Sequence, residues 1–139
     1  MAQSEVFVDT SGFLALWDAS DAHHQAAVQL QKELIGKRRR FLTSDYVLDE
    51  SITLLKARHS QKAACDFIRA VSATQMVTVE WLGSDRFEAA AEFFVRHSDK
   101  EWSFTDCASF VIMRERKLEQ AFTTDHHFRQ AGFDAMLKP

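Results

Sequence analysis

VFVDTSGF, residues 6–13, is the stretch on which the reading of this chain turns. Val6, Phe7 and Val8 form a short apolar run that suits a buried strand, and it stops at the carboxylate of Asp9. Thr10, Ser11 and Gly12 read as a turn, followed by a short helix over Phe13–Trp17. The same signature returns near the other end in AFTTDHHF, residues 121–128, where a strand over Ala121–Thr124 runs into Asp125. Two more acids have helical surroundings. Glu50 lies early in an amphipathic helix in SDYVLDESITLL (44–55), and Asp106 opens another in SFTDCASFVIM (103–113). These four are spread too widely for a local loop site. Only a fold that converges strand ends brings them together.

The intervening chain alternates short apolar strands with longer helices. Ser20 reads as the cap of a helix from Asp21 to Ile35, with Ala26, Ala27, Leu30, Leu34 and Ile35 as its buried stripe. Gly36 and the basic run Lys37–Arg40 read as its stop. Phe41–Thr43 and Met76–Val79 are expected strands. Ser44 is expected to cap the Glu50 helix, and Ser60 the helix containing Ala64, Cys65, Ile68 and Val71. Asp85–His97 reads as a helix with Phe87, Ala90, Ala91, Phe94 and Val95 inward, and Phe104–Leu118 as another. A one-turn helix at His126–Gln130, a break at Gly132 and an edge strand over Ala135–Leu137 complete the chain.

This alternation predicts an α/β fold with a parallel sheet covered on both faces. Ligands of such sheets sit beyond the C-terminal strand ends, at the switch in strand order. All four acids are expected at that edge. The length of 139 residues fits one domain, 1–139, and 46% hydrophobic residues supply a core. A net charge of −3 argues against a histone-like coat for nucleic acid. Cys65 and Cys107 form neither a disulfide framework nor a CxxC pair, which suits a reducing compartment. No apolar run is long enough to span a membrane, and MAQSEVFVD lacks the basic start of a signal peptide. The expected location is the cytoplasm.

Gathered carboxylates repel one another and require a compensating cation. An all-oxygen set without cysteine or spaced histidines suits Mg²⁺ or Mn²⁺ rather than zinc. Such an ion keeps waters, takes contacts from phosphate oxygens, and supports phosphodiester hydrolysis by supplying a nucleophile and neutralising charge. Each acid also has a plain structural reading: Asp9 as a turn residue, Asp106 in a favourable first helical turn, Asp125 as a cap, Glu50 as helix surface beside Asp49. Ser11 and Thr10 can hydrogen-bond a carboxylate or phosphate, Ser103 or Thr105 can cap the Asp106 helix, and Thr124 can orient Asp125. His126 and His127 are candidates for substrate contact or metal, and Cys107 reads as a small buried residue. Lys37–Arg40 is expected across the domain from the acids. Lys56, Arg58 and His59, like Arg114, Arg116 and Lys117, suit helix ends and mark no nucleic-acid groove by themselves.

With VFVDTSGFLAL, SFTDCASFVIM and FTTDHHF in this order, the chain resembles PIN-domain proteins, and more narrowly the VapC-type toxin ribonucleases. The resemblance covers nearly the whole sequence. It implies a three-layer α/β/α domain with strand order 3-2-1-4-5 and an acidic pocket that hydrolyses RNA with Mg²⁺ or Mn²⁺. It carries the acidic quartet onto Asp9, Glu50, Asp106 and Asp125 as catalytic and metal-holding residues, with Asp49 as the register alternative to Glu50. Ser11 and Thr105 fall near the pocket, and Ser103 on a polar position before the third motif. It further implies a homodimer, silenced by a small antitoxin that occupies the groove and carries any DNA contact.

Three other readings compete. A noncatalytic RNA- or protein-binding module would keep the pocket without the chemistry, and a PIN nuclease of RNA processing would keep the chemistry without the toxin role. An aspartyl phosphatase would need a second acid where Ser11 stands. Phe13, Trp17, Phe67 and Trp81 are candidates for either core packing or a partner surface.

Overall fold

Each apolar run pairs with its neighbours in parallel. The structure, a computed structural model, describes residues 5–138, so the readings that touched residues 1–4 and Pro139 lie outside it. Strands β1 (Glu5–Val8), β2 (Arg40–Ser44), β3 (Val77–Glu80), β4 (Gln120–Phe122) and β5 (Asp134–Ala135) form one sheet in the order β3-β2-β1-β4-β5. Helices α1 (Thr10–Trp17), α2 (His24–Gly36), α3 (Asp45–Arg58), α4 (Gln61–Ala73), α5 (Gly83–Arg96), α6 (Phe104–Glu115) and α7 (His126–Gln130) complete a three-layer α/β/α fold. None is long and apolar enough to cross a membrane.

Strand β1 lies at the centre, with Val6, Phe7 and Val8 almost wholly buried. The chain builds outward from it to β2 and β3, then crosses to β4 and β5 on its other side. The order therefore reverses between β1 and β4, and the register pairs Phe7 with Ala121 and Val8 with Phe122. Continuing that register sets Asp9 beside Thr123. Gly12 holds the next element close: a Cβ there would lie 2.1 Å from the carbonyl oxygen of Phe122, so only glycine lets α1 start against β4.

An aromatic cluster fixes the far side of this edge. Phe110, one turn past Asp106, meets Phe128 edge-on at 5.0 Å and Trp102 at 5.1 Å. Phe110 and Phe128 are fully buried, and each such side chain contributes roughly 1.5–3 kcal/mol by leaving water. This contact locks α6 to α7, and with them the side chains one position before Phe128 and one turn before Phe110.

Several local expectations give way to the observed geometry. Thr10–Gly12 is the first turn of α1, because Asp9 takes the N-cap position and its carbonyl accepts from Gly12 and Phe13. Ser20 does not cap α2; it donates to Asp18 instead, and α2 begins at His24. Ala26 and Ile35 are exposed, leaving Ala27 and Leu34 as the buried part of that stripe. Gly36 lies within α2, and the left-handed residue after it is Arg38, with φ 59°. The N–H of Arg39 then donates back to the Leu34 carbonyl at 2.9 Å, closing the helix end. Lys117, at φ 58°, ends α6 the same way, so that helix stops at Glu115 rather than Leu118.

Helix α5 starts at Gly83, and its inward residues are Ala90 and Phe93. Phe87, Phe94 and Val95 stay exposed; the first two rest instead against the ring of Phe104. Strand β5 is Asp134–Ala135, entered through Gly132 at φ 97°, rather than Ala135–Leu137. Phe13 and Phe67 belong to the core, whereas Trp17 and Trp81 are exposed.

Candidate active site

At the end of β1, Asp9 caps α1 with its backbone while its side chain makes no capping hydrogen bond. The carboxylate is thereby free to face the neighbouring strand end, where it is only 4% exposed. Thr123 donates to its Oδ2 at 3.0 Å, and the Ser11 hydroxyl lies 3.2 Å from the same atom. Ser11 and Thr123 stand 2.8 Å apart. The backbone N–H groups of Thr124 and Asp125 then donate to Ser11 and Thr123 at 3.0 Å each. Two hydroxyls thus tie the first acid to the strand end that carries the last.

Asp106 is the third residue of α6, where the first-turn N–H groups are exposed. Ser103 caps that helix by accepting from the Asp106 N–H at 3.0 Å, and its own N–H donates to Asp106 Oδ2 at 3.1 Å. The reciprocal pair is a capping box. His127 Nδ1 lies 3.0 Å from the same Oδ2 and 3.4 Å from Asp125 Oδ1. Asp125 does not sit in a strand; it caps α7, with Oδ1 accepting the His127 N–H at 2.9 Å. Glu50, one turn into α3, accepts from the Thr10 hydroxyl at 2.6 Å, and Asp49 points to solvent. That settles which of the two neighbours faces α1.

All four acids and Ser11 and Ser103 therefore line one cleft of about 340 Å³. In every case one oxygen is anchored: Asp9 Oδ2, Asp106 Oδ2, Asp125 Oδ1 and Glu50 Oε1. The second oxygen of each has no side-chain partner among the described residues, and none is a buried orphan. The four side chains share that cleft. A larger hollow of about 490 Å³ beside Trp81 and Gly83 holds none of the four acids, and its Glu115 is already paired with Arg86. The four acids gather in the smaller cleft.

Burial, followed by the negative charge of Asp106, pushes the Asp9 carboxyl up to about 7, against the pull of the Thr10 N–H and the Thr123 hydroxyl. Asp106 is raised as well, first by burial and then by Asp125, although the Ser103 N–H and His127 oppose the shift. No Lys or Arg pairs with the four acids among the described residues. Carboxylates held this way favour a hard cation of oxygen ligands. Cys107, driven up to about 11 by burial and by Asp106, is an inert neighbour.

Thr105 is half-buried and its carbonyl accepts from Ser109; it does not line the cleft. Thr124 contributes its backbone N–H, whereas the hydroxyl at the carboxylate is that of Thr123. Sequence reasoning passed over Thr123, which only the β1–β4 register sets beside Asp9. It also placed Arg58 at an unremarkable helix end, yet Arg58 lines the cleft with Leu14, Leu54 and Glu101. The helical spacing of Glu50, Leu54 and Arg58 held that information.

Residues 6–134 match the PIN domain family. The 23S rRNA-specific endonuclease VapC20 of Mycobacterium tuberculosis is 39% identical over 128 residues, covering 92% of this chain and 95% of that protein. A VapC ribonuclease of Archaeoglobus fulgidus is 28% identical over 114 residues, 81% of this chain and 72% of the other. The crystal structure of the M. tuberculosis VapC20, a sarcin-ricin loop cleaving toxin, superposes with a TM-score of 0.84 at 38% identity, over 92% of this chain and 95% of that one.

Proposed function

The chain belongs to the PIN-domain family, among its VapC-type members, and from that premise we propose that it is a divalent-metal-dependent endoribonuclease, the toxin of a toxin–antitoxin pair. The observation that carries this reading is the cleft that gathers four carboxylates, each anchored through one oxygen and none paired with a Lys or Arg among the described residues. Asp9, Glu50, Asp106 and Asp125 are the residues proposed to hold Mg²⁺ or Mn²⁺. Their all-oxygen donor set and the upward shift of Asp9 fit such an ion. Once bound, the ion supplies positive charge against the scissile phosphate and a more acidic water.

The chain's own residues do the positioning. Ser11 and Thr123 hold Asp9, Ser103 and His127 hold Asp106, and the α7 N–H holds Asp125. Thr10 fixes Glu50 across from them. These contacts hold the carboxylates in place beforehand, so they need no rearrangement during the reaction. Leu14 and Leu54 shed water from the adjoining part of the cleft. The cleft opens at the C-terminal edge of the sheet, where an RNA strand has access.

Large-subunit ribosomal RNA is the substrate proposed first, because similarity to VapC20 extends over almost the whole chain. The remaining proposals are one nuclease domain over 1–139, a homodimer, a small antitoxin seated in the cleft, and a cytoplasmic setting. Partner-free protein incubated with ribosomes and with bulk RNA in Mn²⁺, Mg²⁺ or EDTA, with new ends sequenced, tests the activity. Cuts that require the divalent ion and vanish in folded Asp9→Asn/Asp106→Asn are expected. Cuts that persist in that variant or in EDTA would sink the assignment.

A further inference from the structure

The acidic cleft poses a charge problem for a polyanionic substrate, and one side chain answers it. Among the described residues Arg58 is the only Lys or Arg that lines the cleft, which also carries five carboxylates once Glu101 is counted. Its guanidinium has no hydrogen bond or ion pair with any described residue. Other guanidinium groups are engaged elsewhere: Arg86 and Arg116 in ion pairs, Arg39 on Gln120 and Arg114 over Phe93.

The position of Arg58 follows from α3. Glu50, Leu54 and Arg58 recur at four-residue intervals, so they lie along one side of the helix. Eight residues at helical rise place Arg58 about 12 Å along α3 from Glu50. Leu14 of α1 and Leu54 of α3 line the same cleft, giving it an apolar part suited to a sugar or base. Next to Arg58 in the chain, His59 Nε2 meets Asp18 Oδ2 at 3.1 Å. Asp18 also accepts the Ser20 N–H at 2.8 Å. Asp18 is therefore occupied by His59 and Ser20, and Arg58 has no carboxylate partner among the described residues.

Resting on the nuclease reading, we propose that Arg58 is a substrate-positioning residue that grips an RNA phosphate next to the scissile one, while Leu14 and Leu54 carry the nucleotide between. A guanidinium suits this task because it pairs two phosphate oxygens in a fixed fork. One grip at the end of the groove sets the direction in which the strand lies across the carboxylates.

The test is fluorescence anisotropy of a short single-stranded RNA pool with the full chain in Ca²⁺ at several salt concentrations, beside cleavage assays in Mn²⁺. Arg58→Ala is expected to weaken binding about tenfold and to lower the salt slope by about one. Arg58→Lys restores part of the affinity, Mn²⁺ affinity is unchanged, and Lys56→Ala, on the same helix end but outside the cleft, binds as the parent does. Unchanged affinity and slope in Arg58→Ala would overturn the proposal, and so would an equal loss in Lys56→Ala. Retained RNA binding with loss of polyglutamate binding would overturn it too, assigning Arg58 to an acidic protein ligand. Wild-type protein that binds RNA through Arg58 yet cuts none in Mn²⁺ would sink the nuclease reading alone.

Discussion

Glu5, Glu80 and Glu115 meet two guanidinium groups, whereas Asp9, Glu50, Asp106 and Asp125 meet none. Arg116 lies 2.6 Å from Glu5 and 2.9 Å from Glu80, and Arg86 lies 2.9 Å from Glu115. That network satisfies its own charges at the surface, and Glu115 is pulled below its ordinary range by Arg86. In the cleft, hydroxyls and N–H groups orient the acids without neutralising them, and Asp9 rises instead. The contrast separates charges paired at a surface from charges without a cationic partner, which we propose a bound ion supplies.

The most severe way to break the contrast is Asp9→Asn, which is expected to move activity and metal-free stability in opposite directions. Cleavage should fall at least about 100-fold, read in a Mn²⁺ assay. Metal-free stability should rise. Asp9 has its folded value raised, so the stability it allows is fully present below the unfolded value near 4 and is lost as pH climbs through about 7. The variant should therefore melt higher than the parent by roughly 5 °C at pH 8. It should match the parent at pH 4, and scans at both values with EDTA decide it.

Gly12→Ala attacks the scaffold beneath the cleft. Its Cβ would press a backbone carbonyl rather than a flexible side chain. A loss of about 2–4 kcal/mol is expected in urea unfolding. Ser11→Ala is milder: it unties Asp9 and removes the acceptor of the Thr124 N–H. It should cost about 1 kcal/mol in stability and about tenfold in cleavage, with a smaller change in Mn²⁺ affinity. Glu115→Gln should be the weakest, under about 1 kcal/mol, because Glu115 is itself half open to solvent and its ion pair is screened by salt. An effect at Glu115 as large as that at Gly12 would erase the distinction between the two regions.

Much of this arrangement was legible in the chain. Short apolar runs ending in Asp9 and before Asp125, with helices between, sufficed for a parallel sheet and for four acids at one edge. The strand order came through family resemblance, since nothing in local periodicity tells β3 to lie outside β2. Capping was read well where the side chain bonds to its own helix, as at Ser44, Ser60 and Ser103. It was misread at Ser20, where Asp18 competes for the same serine. In α5 both Phe93 and Phe94 fit an amphipathic pattern, and only the rings of Trp102 and Phe110 select Phe93. Thr123 was hidden for the same reason: its partner is set by strand register, a property of two segments far apart.

The link between Ser11 and Thr123 joins residues 112 positions apart. Its consequence concerns the time at which the molecule becomes itself during translation. While the chain is still emerging from the ribosome, Asp9, Glu50 and Asp106 have no β4 beside them, and Thr123, one of the two hydroxyls that steady Asp9, has yet to be added. The cleft can close only after nearly the entire polypeptide has been synthesised. Production and competence are thus separated by the order in which the residues appear, and an interrupted product carries the acids but never the site.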